Sequence, residues 1–191
     1  MTVDDKTKVP EILSNLKELE SYQVAVGILS KSGGEMLMIA NVHEFGCNIP
    51  VTNKMRGFLA YNYNVHLKKS TKVIKIPERS FIRSSYDNKS DDVHRKGEDL
   101  LAEVVKGNMP ARAFYEMLGQ TCADTIREYM VNEVNSPANS PLTTSIKGST
   151  NPLVDSGQLA AAITYEIRGR YWDFLILRPW LINFRLVGCW L

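Results

Sequence analysis

The sequence predicts an α+β fold, with a small, mainly antiparallel sheet flanked by helices and with a protruding hairpin and a long loop. The chain has 191 residues, of which 44% are hydrophobic, enough for one compact domain with a core. Long stretches with helical periodicity lie between short β-branched segments that alternate as strands do. We assign residues 1–170 to a single α+β domain and residues 171–191 to an apolar, Trp-rich C-terminal segment.

The first third of the chain is predicted to contain a helix over 10–22, a strand over 22–29 and a second helix over 36–45. The apolar residues of the first helix fall on one face, and the strand alternates. Gly33 and Gly34 supply the positive φ that a tight turn requires. Gly46 is well placed to cap the second helix at its C-terminus.

Residues 49–82 are predicted to form a hairpin-bearing extension, with a short helix around 54–60 and a strand over 71–76. In that strand Val73 and Ile76 are expected to be buried. Pro77 ends the strand or places it at an edge, because proline cannot donate a hydrogen bond to a ladder.

The second half is predicted to contain helices over 91–105 and 111–134, a loop over 135–152, a short helix over 156–163 and a strand over 163–168. An apolar stripe at i, i+4 spacing gives the second long helix a core-facing side. Asp155 or Ser156 is expected to cap the short helix at its N-terminus by accepting hydrogen bonds from free amides.

Composition excludes some classes of function. The formal net charge is only +2, which makes no strong case for nucleic acid as the main partner. Three widely spaced cysteines do not form a disulfide framework, so a reducing cytoplasm is the default compartment. The segment 171–191 is interrupted by arginine and proline, which disfavours a membrane span. A surface covered by a partner is preferred there, and a non-native sequence is the alternative.

No catalytic, cofactor-binding or metal-binding site is predicted. His43 and Glu44 begin an HExxH pattern, but position 47 is cysteine, so the second zinc ligand is missing. A small hydrolase using a His43–Cys47 dyad is the enzymatic alternative. Asp155-Ser156-Gly157 contains a nucleophile's residue types without the strand and GxSxG turn of a nucleophile elbow.

A basic run follows the expected hairpin and contains Lys68, Lys69, Lys72 and Lys75. Lysines protect exposed strand edges from pairing with other chains, and this is the preferred interpretation. The alternative is a module that contacts DNA through its phosphates, which would give affinity without sequence preference.

Four segments, taken in order, resemble the small tail-completion or neck proteins of long-tailed phages. They are residues 40–46 (ANVHEFG), 49–56 (IPVTNKMR), 76–83 (IPERSFIR) and 147–166 (KGSTNPLVDSGQLAAAITYE). The resemblance spans roughly residues 20–168, and the Trp-rich tail has no counterpart in it.

The resemblance implies a structural virion protein without catalytic residues or cofactors. Such proteins form a ring, commonly hexameric, located at the neck between tail and head. The implied partners are other copies of the chain, the tail tube protein and the head-completion or connector protein, with passive DNA contact in the lumen and no membrane. Assembly would take place in the bacterial cytoplasm. A head-side connector or a minor tail component is the alternative.

Interface residues are expected in three places. Phe81 between Arg79 and Arg83 has the composition of an interface anchor, although a core phenylalanine between solvated arginines fits equally well. The lysine hairpin 57–76 and the loop 135–152 are candidates for contacts between subunits or along the ring axis. The full set of candidate residues is Arg79, Phe81, Arg83, Lys68, Lys69, Lys72, Lys75, Pro152 and Asp155.

Overall fold

A computed structural model describes residues 8–140, 143–144 and 151–169. In chain order its elements are α1 (Val9–Ser21), β1 (Tyr22–Ile28), α2 (Gly34–Phe45), β2 (Cys47–Pro50), α3 (Asn53–Tyr63), β3 (Val73–Ile76), α4 (Ile82–Val105), α5 (Ala111–Asn132), α6 (Gln158–Ala162) and β4 (Ile163–Gly169). A short 3₁₀ turn, Ser30–Ser32, precedes α2. The fold is helix-rich and of mixed α+β type, as the sequence predicts.

The strands form two separate antiparallel pairs. β1 pairs with β4 along their full lengths, from Tyr22 opposite Gly169 to Ile28 opposite Ile163. β2 pairs with β3, from Cys47 opposite Ile76 to Pro50 opposite Val73. The first pair belongs to the domain body, whereas the second forms the base of an excursion that carries α3.

The core lies between the β1–β4 pair and the two long helices α4 and α5. Phe81, Val104, Met130 and Ile163 are completely or almost completely shielded from solvent. Gly119 allows α5 to approach the sheet closely, because a Cβ there would lie 2.5 Å from Cδ2 of Tyr165. Any larger residue at this position would push the sheet away from the helix.

Several predicted boundaries are wrong. The helix expected over 91–105 begins nine residues earlier, at Ile82. The expected hairpin 57–76 consists of the end of α3, an irregular stretch and β3, and the partner of β3 is the preceding β2. Val73 is 49% exposed, because the inward face of β3 carries Ile74 and Ile76 instead.

The cap predicted for the short helix is also wrong. Gly157, with φ of 77°, is the N-cap residue of α6, and no side chain caps that helix. Asn151 makes the local side-chain bonds in this region, since its Oδ1 accepts from the amides of Leu153 and Val154 at 3.0 Å. Asp155 and Ser156 are exposed.

Among the described helices, none combines the length and the apolar character needed to cross a bilayer. The expectations for residues 171–191, and for most of the loop segment 141–150, concern parts of the chain outside the described residues.

Candidate functional site

Glu44, in the last turn of α2, is a charged residue placed inside the core. It is 1% exposed. Its carboxylate accepts hydrogen bonds from the backbone amides of Phe81 (2.9 Å), Ile82 (3.0 Å) and Arg83 (3.0 Å). The first amides of a helix have no partner within that helix, and α4 has no side-chain cap of its own. A carboxylate from another helix therefore caps α4.

Two further donors complete the shell around Glu44. The hydroxyl of Ser80 donates to Oε1 at 2.7 Å, and Nε of Arg83 donates to the same oxygen at 3.1 Å. With five donors on its two oxygens, the carboxylate is saturated. It serves as a structural acceptor and is not available as a general base.

Arg83 joins the end of α2 to the start of α4. Its Nη2 donates to the carbonyl of Glu44 and to Oε1 of Glu78, both at 2.8 Å. The guanidinium also lies 4.7 Å from the ring centroid of Phe45, a cation–π distance. Burial alone lowers the pKa of Arg83, but its hydrogen bonds to Glu78 and Glu44 raise that pKa above the usual value.

Gly46 allows the chain to leave α2 against the backbone that precedes α4. Its φ is +70°, and a Cβ there would lie 2.9 Å from the amide nitrogen of Glu78 and 3.0 Å from the carbonyl oxygen of Ile76. With ψ of 165°, this conformation is essentially restricted to glycine.

Arg79 carries the same connection to the loop that follows α5. It is 6% exposed, and its guanidinium donates to the carbonyls of Pro137 (2.7 Å) and Ala138 (3.2 Å). Burial lowers the pKa of Arg79. No carboxylate of the described chain lies within ion-pair distance of it, so backbone carbonyls take the place of a counter-ion.

Asparagines extend the network to residues 151–154. Nδ2 of Asn139 donates to the carbonyl of Asn151 at 3.2 Å, and Nδ2 of Asn151 donates to the carbonyl of Val131 at 3.0 Å. We call residues 43–46, 78–83, 137–139 and 151–154 together the junction. It joins the ends of three helices through hydrogen bonds between segments that are far apart in the sequence.

The junction contains three of the four sequence segments on which the resemblance rests. HEFG and ERSFIR meet around Glu44, and NPLV reaches them through Asn151, Asn139 and Arg79. Sequence reasoning placed Glu44 only in an incomplete zinc motif and missed its role as a cap. A carboxylate one residue before a Phe-Gly helix end, at i+4 from the buried Ala40, was the available signal.

The predicted interface residues separate into two groups. Arg79 and Arg83 lie in the junction, and Phe81 is completely buried there, which is the core alternative for that residue. Pro152 is buried as well, whereas Asp155 is exposed. The second group is Lys68, Lys69, Lys72 and Lys75, all exposed on the excursion between α2 and α4.

That excursion, residues 47–76, is called the extension. None of its residues is buried. Its aromatic side chains are well exposed, with Phe58 at 55% and Tyr61 at 91%. A two-stranded ribbon and one short helix without a buried core have little stability of their own, and Arg56 supplies much of the internal bonding.

The remaining chemical candidates do not form a site among the described residues. His43 lies in the last turn of α2, and its carbonyl accepts from the amide of Arg79 at 2.8 Å, while Cys47 begins β2. No group of three His, Cys, Asp or Glu residues in the described part is arranged to hold a metal. A cavity lined by Val26, Val93 and Ile126 has a volume of about 30 Å³, far below that of ordinary ligand pockets.

The chain was compared with models of protein families, with curated proteins and with solved structures. It matches none of them. Its function must therefore be argued from the residues and contacts of this chain and from the segment resemblance.

Proposed function

We propose that the chain is a structural protein of a phage neck, which closes into a ring, commonly a hexamer, completes the tail and joins it to the head connector. Its partners would be further copies of itself, the tail tube protein and the head-completion or connector protein. It would act by binding and not by catalysis. It would assemble in the bacterial cytoplasm and end in the virion.

The observation that carries this proposal is the surface of α2. Seven of its twelve residues are apolar, yet only Ala40 and Glu44 are buried. Met38 is 59% exposed and Phe45 is 50% exposed. Exposed apolar faces of this kind are typical of protein–protein contacts, and closed rings form when the same two unlike surfaces meet in every pair of copies.

The junction supports the same proposal. It fixes α2 at its C-terminal end through Glu44, Gly46 and Arg83, so that the apolar face is held on a rigid base. Preorganised surfaces lose less conformational entropy on binding. The segments that resemble neck proteins would then matter because they position a contact surface, although most of their own residues are buried.

Light scattering on the purified full-length chain, separated by size over a wide concentration range, tests ring formation. Six chains of 21.6 kDa give an expected mass of about 130 kDa. Met38→Lys should shift the mass towards a single chain without changing the circular dichroism spectrum, because a lysine there opposes burial against a neighbour. Met117→Lys, at a methionine of α5 that is 45% exposed, is the matched control.

A mass of 21.6 kDa at every concentration, with no rings in negative-stain images, would contradict the ring. If Met117→Lys dissociates the assembly and Met38→Lys does not, the ring stands and α2 is not its contact surface.

A further inference from the structure

The charges of the chain are strongly segregated. Between Glu44 and Glu78 there is no Asp or Glu, and the extension contains six cationic residues: Lys54, Arg56, Lys68, Lys69, Lys72 and Lys75. Since the whole chain carries only +2, the other residues sum to −4. The small net charge therefore conceals a local polycation, and a patch of this kind attracts polyanions even on a nearly neutral protein.

Arg56 gives the lysine-bearing stretch a defined shape. Its Nη1 donates to the carbonyls of Leu67 and Lys68, both at 3.0 Å, and its Nη2 donates to the carbonyl of Thr71 at 2.5 Å. Because a forked guanidinium binds three carbonyls at once, the stretch is folded against α3. Its lysines point outwards, and all four are exposed.

The same fold brings aromatic side chains into the polycation. The amide of Val65 bonds to the carbonyl of Leu59 at 3.1 Å, so the chain turns back at the end of α3. Phe58 and Tyr63 form an edge-to-face pair with centroids 6.0 Å apart. Tyr61 extends alone into solvent, at 91% exposure, as an aromatic ring available for stacking.

Edge protection and a protein partner each account for less of this charge pattern. Protection of a strand edge requires charges on the strand, and Lys68 and Lys69 lie before β3. Protein interfaces are depleted in lysine, whereas lysine is a common donor to phosphate. Six cations without one acid, beside an exposed tyrosine, match a polyphosphate better than a second protein surface.

We propose that the extension binds the phosphate backbone of nucleic acid without sequence preference. Lys68, Lys69, Lys72 and Lys75 contact phosphates, and Tyr61 stacks on a base wherever one is unpaired. This inference does not depend on ring formation, since the binding surface lies within one chain.

Fluorescence anisotropy with a 20-base-pair duplex and a 20-nucleotide single strand of mixed sequence tests the inference over a salt series. Each phosphate contact contributes about −0.9 to the slope of log K against log salt for a duplex and about −0.7 for a single strand. Changing all four lysines to glutamine should reduce the size of the duplex slope by about 3 to 4 and weaken binding more than tenfold. Tyr61→Ala should weaken single-strand binding at least about fivefold and leave duplex binding nearly unchanged.

The matched control changes Lys17, Lys31, Lys96 and Lys106 to glutamine, since these lysines are exposed outside the extension and give the same final net charge. Retention of binding and salt slope by this variant supports the inference. Equal losses in both quadruple variants, or no binding by the wild-type chain, overturn it. A change in mass for the extension variant without a change in nucleic-acid affinity also overturns it, in favour of a protein partner.

Discussion

At the scale of single residues, the carboxylate of Glu44 provides the cap that α4 does not have in its own sequence. Three consecutive amides converge on it at 2.9–3.0 Å. A negative charge at a helix N-terminus is also favoured by the helix dipole. The buried charge is thus stabilised by the helix it caps, by Ser80 and by Arg83.

Glu44→Gln should lower the free energy of unfolding by about 2–4 kcal/mol, because the amide group turns one acceptor into a donor facing buried donors. Urea titration with an unchanged m value measures the loss. Glu116→Gln, at an exposed residue paired with Arg112 on α5, should leave the free energy of unfolding nearly unchanged. Equal small losses in the two variants would show that the shell around Glu44 contributes little to stability.

How much a sequence reveals at this scale depends on whether a residue's partners are local. The cap at Gly46 was predictable because glycine at a helix end has a local backbone reason. Glu44 was not, because its donors begin 36 positions further along the chain. Asp155 was misread for the converse reason, since a good local capping residue was not used once Gly157 took a left-handed conformation.

At the scale of elements, periodicity located α1, α2, α5, β1 and β4 to within a few residues, because each has apolar positions at the helical or strand spacing. The first turns of α4, RSSYDNKS, have almost no such pattern, and they are helical because Glu44 and the core around Phe81 fix their start. β3 was given a hairpin partner within 57–76, whereas β2 on the other side of α3 pairs with it. Sequence spacing alone does not choose between those partners.

Arg56→Lys should loosen residues 64–72 while leaving the domain body intact, because an ammonium group cannot bind the carbonyls of Leu67, Lys68 and Thr71 together. Hydrogen exchange followed by mass spectrometry should show faster exchange at the amides of Val65 and Thr71, whose hydrogen bonds lie in this stretch. The amides of α5 should be unchanged.

Arg95→Lys is the control for that substitution, since Arg95 is exposed on α4 and pairs with Asp92. Unchanged exchange over 64–72 in the Arg56 variant would mean that the stretch is held by other contacts.

At the scale of the whole molecule, the domain body and the extension are different kinds of structure. The body has a shared core in which α4, α5 and the β1–β4 pair take part. The extension has no buried residue and leaves the body through two paired strands. Its apolar side chains therefore contribute little to folding and remain available for contacts with other molecules.

Replacing residues 48–75 with a two-residue turn should leave a body that unfolds cooperatively, with a melting temperature within a few degrees of the wild type. The Cα atoms of Cys47 and Ile76 are directly opposite each other, which places them about 4.5–5.5 Å apart. Calorimetry measures the transition, and the shortened chain should lose nucleic-acid binding. A broad, non-cooperative transition would show that the extension stabilises the body after all.

The β1–β4 pair has a consequence for the order of events during synthesis. β1 is among the first elements to be made, and its partner begins only at Ile163. Until then a nascent chain carries an unmatched strand beside α5, and no intervening strand of the described chain pairs with it. Such distant pairings form slowly because a long loop must close first. The final folding step would thus fall to the last strand made, and a premature stop codon before residue 163 should yield an aggregation-prone product rather than a smaller folded one.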